Sequence, residues 1–303
     1  MRDIVVVGSL NVDVSLVAEH LPRPGETVRA HGLTVGPGGK GLNQAIAAAR
    51  LGGRVHLVGC IGEDRFAEIP EQALAEAGVE TGLVRRLAGQ STGTASIVVD
   101  AQTSQNAIAV AAGANAHLSV DRVHDAINAF RASAVLLVQL EAPLETVEAA
   151  LDQARECRMT TVLDPAPARE LPDSLLRKVD ILTPNETEAE FLTGIPVRDV
   201  ESAGAAASRL RDRSLGDVVV TLGPAGCVWA WTSGFEHVPA PLVEPVDTTG
   251  AGDAFNGGIA VALSRGDGLA QALPLATRAG AASTLRRGAA AAMPTPDDLQ
   301  HFE

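Results

Sequence analysis

Short runs rich in β-branched residues alternate with longer stretches of helical periodicity along most of the chain, and that rhythm leaves few architectures open. Strand candidates lie at 4–8 (IVVVG), 55–61, 134–140 (AVLLVQL), 160–164 (TTVLD), 179–183 and 217–222 (DVVVTL). Helix candidates fall between them at 40–52, 65–77, 119–130, 144–156, 186–193 and 199–213, and two more follow at 251–264 and 268–285. Repeated βα units predict an α/β fold with a doubly wound, mostly parallel sheet flanked by helices. The strand runs are apolar throughout rather than alternating, as expected when helices cover both faces. One domain over 1–303 is expected.

Residues 12–36 and 91–113 break the rhythm, with alternating patterns and no long helix. Thr94–Asp100 (TASIVVD) and Asn106–Val110 (NAIAV) suggest a hairpin across a polar turn. These segments predict a second, small β-sheet projecting from the main one.

Charge narrows the partners. The 303 residues carry 37 acids against 24 bases, net −13, with no basic stripe. Nucleic acid and anionic membranes are therefore poor partners. No apolar run reaches membrane-spanning length. The apolar start Ile4–Val7 is too short for a secretory leader, and Asp13 follows soon after. Cys60, Cys157 and Cys227 are far apart and odd in number, which fits a reducing cytoplasm rather than a zinc site or disulfide framework.

The chemistry concentrates in Gly-rich helix starts. In VDTTGAGDAFNGG, residues 246–258, Gly250 and Gly252 precede Asp253 at the head of an apolar helix. Helix starts leave backbone N–H groups unpaired and carry a positive field, so anions bind there. Glycines let a ligand reach those amides. An N-terminal cap with an ordinary first-turn carboxylate satisfies the same pattern. GPGGKGLNQAIAAARLG, residues 36–52, is a second such start. It is not a phosphate-binding P-loop, because Thr34 and Gly41 stand where Gly and Ser or Thr are needed. Nor does Gly8-Ser9-Leu10-Asn11 form a dinucleotide fingerprint. Lys40 and Asn43 share a helix face, as a ligand pair or as solvated surface. In an extended GSLNVD (8–13), Asn11 and Asp13 point the same way beyond a strand end, and Glu141 follows Leu140 similarly. Turn chemistry accounts for each of these singly. Asn185 and Glu188 in TPNETEAE have capping-box spacing, which also suits a polar pair near a metal-bound phosphate.

Taken in order, GSLNVD, GGKGLNQA, LVQLEAP, DPAPARELPD, TPNETEAEFLTG, TLGPAG and DTTGAGDAFNGG closely resemble the ribokinase-like carbohydrate kinases, from Ile4 to beyond Pro294. The resemblance implies a large α/β domain with a β lid that pairs with the lid of a second subunit, giving a homodimer. It implies transfer of the ATP γ-phosphoryl group to the 5-hydroxyl of D-ribose, with a deoxyribose or other pentose kinase as the alternative. A sugar or nucleotide sensor on the same fold is disfavoured by the intact Asp253 motif. A nicotinamide-dependent oxidoreductase is disfavoured by the missing fingerprint.

By the same resemblance Asp253 is the base, and the amides of Gly250, Ala251 and Gly252 form the anion hole. Sugar contacts map to Asn11, Asp13, Gly39, Lys40, Asn43 and Glu141, with Asp253 shared. Nucleotide contacts map to Asn185, Thr221, Leu222, Gly223, Pro224, Ala225, Gly226, Gly252, Asp253 and Thr277. Glu188 maps to an indirect Mg2+ role. A K+ site maps to Asp247, Thr249, Ser283, Arg286, Gly288 and Ala292, mostly through backbone carbonyls. Two positions depart from the pattern: Ala292 replaces a frequent Ser, and Thr277 a more usual His or Asn.

Overall fold

A computed structural model describes residues 1–103, 105–130 and 135–302. Ala134, at the start of one expected strand, and Ser104, in the expected lid turn, lie outside the described residues. The chain opens with β1 (Asp3–Val7), β2 (Asn11–Ala18), β3 (Ala30–Gly38), α1 (Lys40–Arg50), β4 (Arg54–Gly62), α2 (Glu68–Glu76) and β5 (Val84–Leu87). Then come β6 (Gly93–Asp100), β7 (Asn106–Ala111), α3 (Val120–Ala129), β8 (Val135–Val138), α4 (Leu144–Glu156), β9 (Thr160–Leu163) and α5 (Asp173–Leu176). They are followed by β10 (Ile181–Leu182), α6 (Glu186–Thr193), α7 (Val200–Ser214), β11 (Asp217–Thr221), β12 (Cys227–Trp231) and β13 (Gly234–Val238). The chain closes with α8 (Ala251–Arg265), α9 (Leu269–Ser283), α10 (Ala289–Ala292) and α11 (Pro296–Leu299).

Nine strands form the main sheet in the order β13-β12-β11-β10-β9-β8-β1-β4-β5. It is parallel from β11 to β5 and antiparallel at β12 and β13. Its apolar strands explain the layering. Ile4 and Val6 of β1 pack with α1, α8 and α9 on one face, while Val5 and Val7 pack with α3, α4 and α7 on the other. Burial of both faces by this alternation is the main stabilising force of the sheet. α1 and α8 approach closely because Gly257 lacks a Cβ, which would lie 2.7 Å from that of Ala47.

The strand order also places the site. From β1 the chain builds outward one way through β4 and β5, then crosses to β8 and builds the other way. Ligand crevices form where such a sheet reverses, beyond the carboxyl ends of the strands. Gly8, Gln139, Asp164 and Leu222 leave β1, β8, β9 and β11 at that edge, and α1 and α8 start there.

The small sheet has the order β3-β2-β6-β7, with β2 and β6 parallel and each joined to an antiparallel outer strand. It contains both segments that break the βα rhythm. The register puts Asn11, Asp13, Ser15 and Val17 on one face with Ile97, Ile108 and Val110, and Leu16, Leu33 and Val35 on the other.

Sequence periodicity does not find β12 and β13. β12 is a five-residue apolar run (CVWAW) that turns back at once on β11 without a helix between them, so it falls outside the βα rhythm, and β13 is largely exposed with no apolar run to mark it. The GAAAA stretch at 288–292 forms the short α10 with Gly288 as its N-cap. No helix among the described residues is long and apolar enough to cross a membrane.

Candidate active site

The N-terminus of α8 divides the crevice. Asp253 occupies its first turn and is buried, while the adjacent Gly252 is exposed and an added Cβ there would meet nothing within 4 Å. Gly250 caps the helix at φ 80, a conformation that favours glycine, and lies against Ala289 and Met293. Of the three expected anion-hole amides, Ala251 N–H donates to Thr248 O at 3.2 Å. Among the described residues no protein acceptor meets the N–H of Gly250 or Gly252.

On the lid side of this terminus the structure gathers the expected sugar residues. Asp253 Oδ2 accepts from Asn43 Nδ2 at 2.9 Å and Oδ1 from Gln44 Nε2 at 3.1 Å. Burial pushes Asp253 up to about 6; Lys40 and the two amides oppose the shift, and Asp164 adds to it. Lys40 begins α1 behind Gly39, whose φ of 94 and close approach to Asn11 N exclude a side chain. Lys40 Nζ lies 3.7 Å from Asp164 Oδ2, and its backbone N–H donates to Glu141 Oε2 at 3.2 Å. Burial disfavours the ammonium, but Asp164, Asp253, Glu141 and Glu188 outweigh it and hold Lys40 charged. Asp13 is pushed up to about 6 by burial, then by Glu141 and Asp253. Asn11, at the start of β2, is buried and its Oδ1 accepts from Asn115 Nδ2 at 2.8 Å.

On the other side lies a mostly apolar cleft of about 230 Å³. Thr221, Gly223, Pro224, Gly226, Gly252 and Thr277, from the expected nucleotide set, line it together with Ala251. Gly226 takes φ 93 and its Cβ would overlap Val238 O, so this turn requires glycine. Leu222 and Ala225 do not line the cleft. Leu222 N–H bonds to Gly226 O, and Ala225 O accepts from His237 Nε2 at 2.6 Å, so both shape the turn from behind. Asn185 and Glu188 close a capping box on each other with two bonds of 2.9 Å. Glu188 is nonetheless buried towards the centre. Burial raises its pKa and Asp253 adds to the rise, while Asn185 and Lys40 oppose it.

The third group surrounds the loop before α8. Asp247 Oδ1 accepts from Thr249 N and Oγ1 at 3.0 and 2.6 Å, and Oδ2 from Gly288 N at 2.9 Å. Burial opposes the charge of Asp247, but these bonds and Arg287 leave its pKa lowered. Thr284 O receives the N–H groups of Val246 and Asp247, which brings Ser283 beside the loop. The Arg286 side chain turns to Asp298 at 3.0 Å, leaving only its backbone for an inner role. Ala292 is buried at the end of α10.

The whole constellation has relatives. The sequence matches the pfkB family carbohydrate kinase model over residues 1–296. The chain belongs to the pfkB family of carbohydrate kinases. The Haemophilus influenzae ribokinase is 39% identical over 99% of this chain and 98% of its own. A Salmonella typhi deoxyribokinase is 41% identical, over 84% of this chain and 83% of its own. The Arabidopsis thaliana ribokinase complexed with ribose and ATP superposes with a TM-score of 0.90 at 31% identity, covering 99% of this chain and 98% of that one.

Several residues of this carbohydrate kinase carry the site without standing out in the sequence. Ser9 donates to Glu141 Oε2 from the loop after β1. Asp164, Gln44 and Gln139 lie in DPAPARELPD, GGKGLNQA and LVQLEAP, so the motifs contained them but no spacing distinguished them. Ala240–Val243, Phe255, Gly280, Ala281 and Thr284 complete the apolar cleft and are ordinary core or loop residues by composition.

Proposed function

We propose that this carbohydrate kinase transfers the γ-phosphoryl group of ATP to the 5-hydroxyl of D-ribose. One observation carries the reading: the buried Asp253 joins the polar cluster of Asn43, Lys40 and Asp13 beside the small sheet, while Gly252 of the same helix turn lines the apolar cleft. A sugar in the first and a nucleotide in the second would meet at the start of α8. The full-length similarity to proteins named ribokinase supports ribose as the acceptor.

In this reading Asp253 accepts the hydroxyl proton as the oxygen attacks. Asn43, Lys40 and Asp13, grouped around it, would orient that hydroxyl. The Gly250 and Gly252 amides, with the helix dipole, face the charge that builds on the transferring phosphoryl oxygens. Asn11, Asp13, Gly39, Lys40, Asn43 and Glu141 hold the sugar. Thr221, Gly223, Pro224, Gly226 and Thr277 hold the nucleotide, with Leu222, Ala225 and Asn185 fixing the walls.

The donor sets fit two cations. The buried Glu188 carboxylate suits Mg2+ approached through water, and Asp247 with the carbonyls of Thr249, Ser283, Arg286, Gly288 and Ala292 suits K+. Mg2+ bound with ATP would neutralise phosphate charge, and K+ would brace the loop before α8 and add positive field there.

The small sheet supports a homodimer. Leu33 and Val35 on one face and Ile108 and Val110 on the other are exposed, and apolar residues on both faces of a projecting sheet call for a second cover. Pairing with the same sheet of another copy supplies one.

A panel of sugars assayed by ADP release tests the reading. Ribose should exceed 2-deoxyribose and the hexoses in kcat/KM, because buried groups built for a hydroxyl are left unpaired by its loss. No ADP above the sugar-free blank with any pentose would defeat it.

A further inference from the structure

Gln44 stands between two buried carboxylates. Its Nε2 donates to Asp164 Oδ2 at 2.8 Å and to Asp253 Oδ1 at 3.1 Å. An amide nitrogen has two hydrogens, so one group serves both acids. Its Oε1 accepts from Gln139 Nε2 at 2.5 Å. The two carboxylates settle the orientation: turned over, Gln44 would set its oxygen against both, and with its nitrogen on the acids its Oε1 calls for the Gln139 donor. Gln139 is fully buried just after β8, and a side chain at Gly8 would overlap its Oε1. These four polar residues thus form a line through the crevice floor, from Gln139 through Gln44 to the two acids.

We propose that Gln44 is a positioning residue for phosphoryl transfer, tying the Asp253 carboxylate to Asp164 through one amide that Gln139 holds from behind. The proposal rests on the reading of Asp253 as the base. Gln44 reaches no open part of the site; it acts through Asp253. With Asn43 Nδ2 on the other oxygen, two neighbouring α1 side chains hold both ends of the carboxylate. A base gripped at both ends keeps one orientation towards the acceptor hydroxyl, and small misplacement is costly for rate.

The same bonds set the charge state. Asp253 faces Lys40, Asn43 and Gln44 from α1, Asp164 after β9, Asp13 from β2 and Glu188 from α6; Glu141, after β8, acts on Asp13 and Lys40. Among these ionisable neighbours Lys40 is the cation and the others are acids. Hydrogen bonds donated to a carboxylate favour its charged form. Without Gln44, only Lys40 and the Asn43 amide would counter the mutual repulsion of Asp164 and Asp253, and nothing would join the two acids.

The test compares wild type with Gln44→Met, which keeps length and loses the amide. Steady-state kinetics use ATP and the sugar that wild type phosphorylates best, over pH 5 to 8, with thermal unfolding as the folding check. We expect kcat to fall on the order of 10- to 100-fold with sugar KM changed by less than about threefold. The acid limb of kcat/KM should move up by roughly one unit. Gln139→Met touches neither acid and should show the same pattern at reduced size, also serving if the first variant fails to fold. The double variant should be no worse than Gln44→Met alone, since both act on one unit. A folded Gln44→Met with kcat within about threefold of wild type and an unmoved acid limb would overturn the proposal. So would a Gln139→Met loss that multiplies in full with that of Gln44→Met, or a folded Gln139→Met with wild-type kinetics. A wild type that phosphorylates no sugar would remove the parent reading and this one with it; an active wild type matched by Gln44→Met would remove this one alone.

Discussion

Asn43 Nδ2 and Asp253 Oδ2 are joined at 2.9 Å across 210 positions of sequence. The bond exists because α1 and α8 both start at the edge where the sheet reverses and pack tightly behind it. Two Gly-rich helix starts, distant in the chain, become one site. The carboxylate between them is buried, and its proton affinity follows from that position.

Asp253 should set the acid limb of the pH profile. Burial raises it from 3.8 to about 6, so it is protonated, and idle as a base, at lower pH. We expect kcat/KM to rise at least about tenfold per unit up to pH near 6 and then level, since Asp253 must be deprotonated and Asp13, also raised to about 6, titrates in the same range. The linkage sign is the reverse for stability. A raised folded-state pKa contributes stability at low pH that is lost as pH rises through about 6, so the active, charged form is the less stable one. Activity that stays constant from pH 7 down to 5 would contradict the assignment.

Asp13→Ala and Glu141→Ala should weaken sugar binding with little effect on ATP. Both acids stand under the small sheet, with Asp13 acting on Asp253 and Glu141 fixed by Ser9 and the Lys40 amide. Loss of a hydrogen bond to a charged group predicts a sugar Kd increased about tenfold or more. Calorimetric titrations of each ligand separate the two effects, and an equal loss for ATP and sugar would refute the partition.

Gly252→Ala should leave the fold intact and impair catalysis. The backbone there is helical, an added Cβ meets no protein atom within 4 Å, and Ala is the better helix residue. The methyl group would nonetheless occupy the mouth of the nucleotide cleft beside the free amide. The melting temperature should hold or rise slightly while kcat falls on the order of 100-fold. Wild-type turnover by the variant would show that no phosphoryl group passes this amide.

Asp247 should confer activation by K+. The expected outcome of titrating K+ against Na+ or tetramethylammonium at constant ionic strength is a rise in kcat that Asp247→Ala removes. The buried Ala292 brings no hydroxyl, so half-activation should need more K+ than a site with Ser there. Asp247 also ties Thr249 to Gly288, so the variant should melt lower than wild type. A flat response in wild type would remove the cation from the account.

How much of this was legible beforehand varied with chemistry. The α/β class and the small sheet followed from periodicity, because continuous apolar strands and helical spacing are local properties. The pairing of Asn43 with Asp253 was legible only through the family motifs, since no local rule links two helix starts. β12 escaped because its apolar run follows β11 with no helix between, and β13 because a short exposed strand lacks a distinctive period. Gln44 escaped for another reason. An amide in an Ala-rich helix resembles surface decoration until Asp164 and Asp253, from two other elements, close around it. The capping-box reading of Asn185 and Glu188 held in full, yet Glu188 also faces Lys40 and Asp253, so cap and site coincide.

The most direct test is the position of the phosphate on the product. Wild type and Asp253→Asn are incubated with ATP, Mg2+ and ribose labelled with 13C at C5, and the product is read by 13C and 31P NMR. Wild type should give ribose phosphorylated at O5, seen as phosphorus coupling on the labelled carbon. Asp253→Asn should bind both substrates yet form product 10²- to 10⁴-fold more slowly, on the order expected for a lost general base. Phosphate on another oxygen, or an Asp253→Asn rate above about a tenth of wild type, would contradict the assignment of Asp253 as the base that serves the 5-hydroxyl.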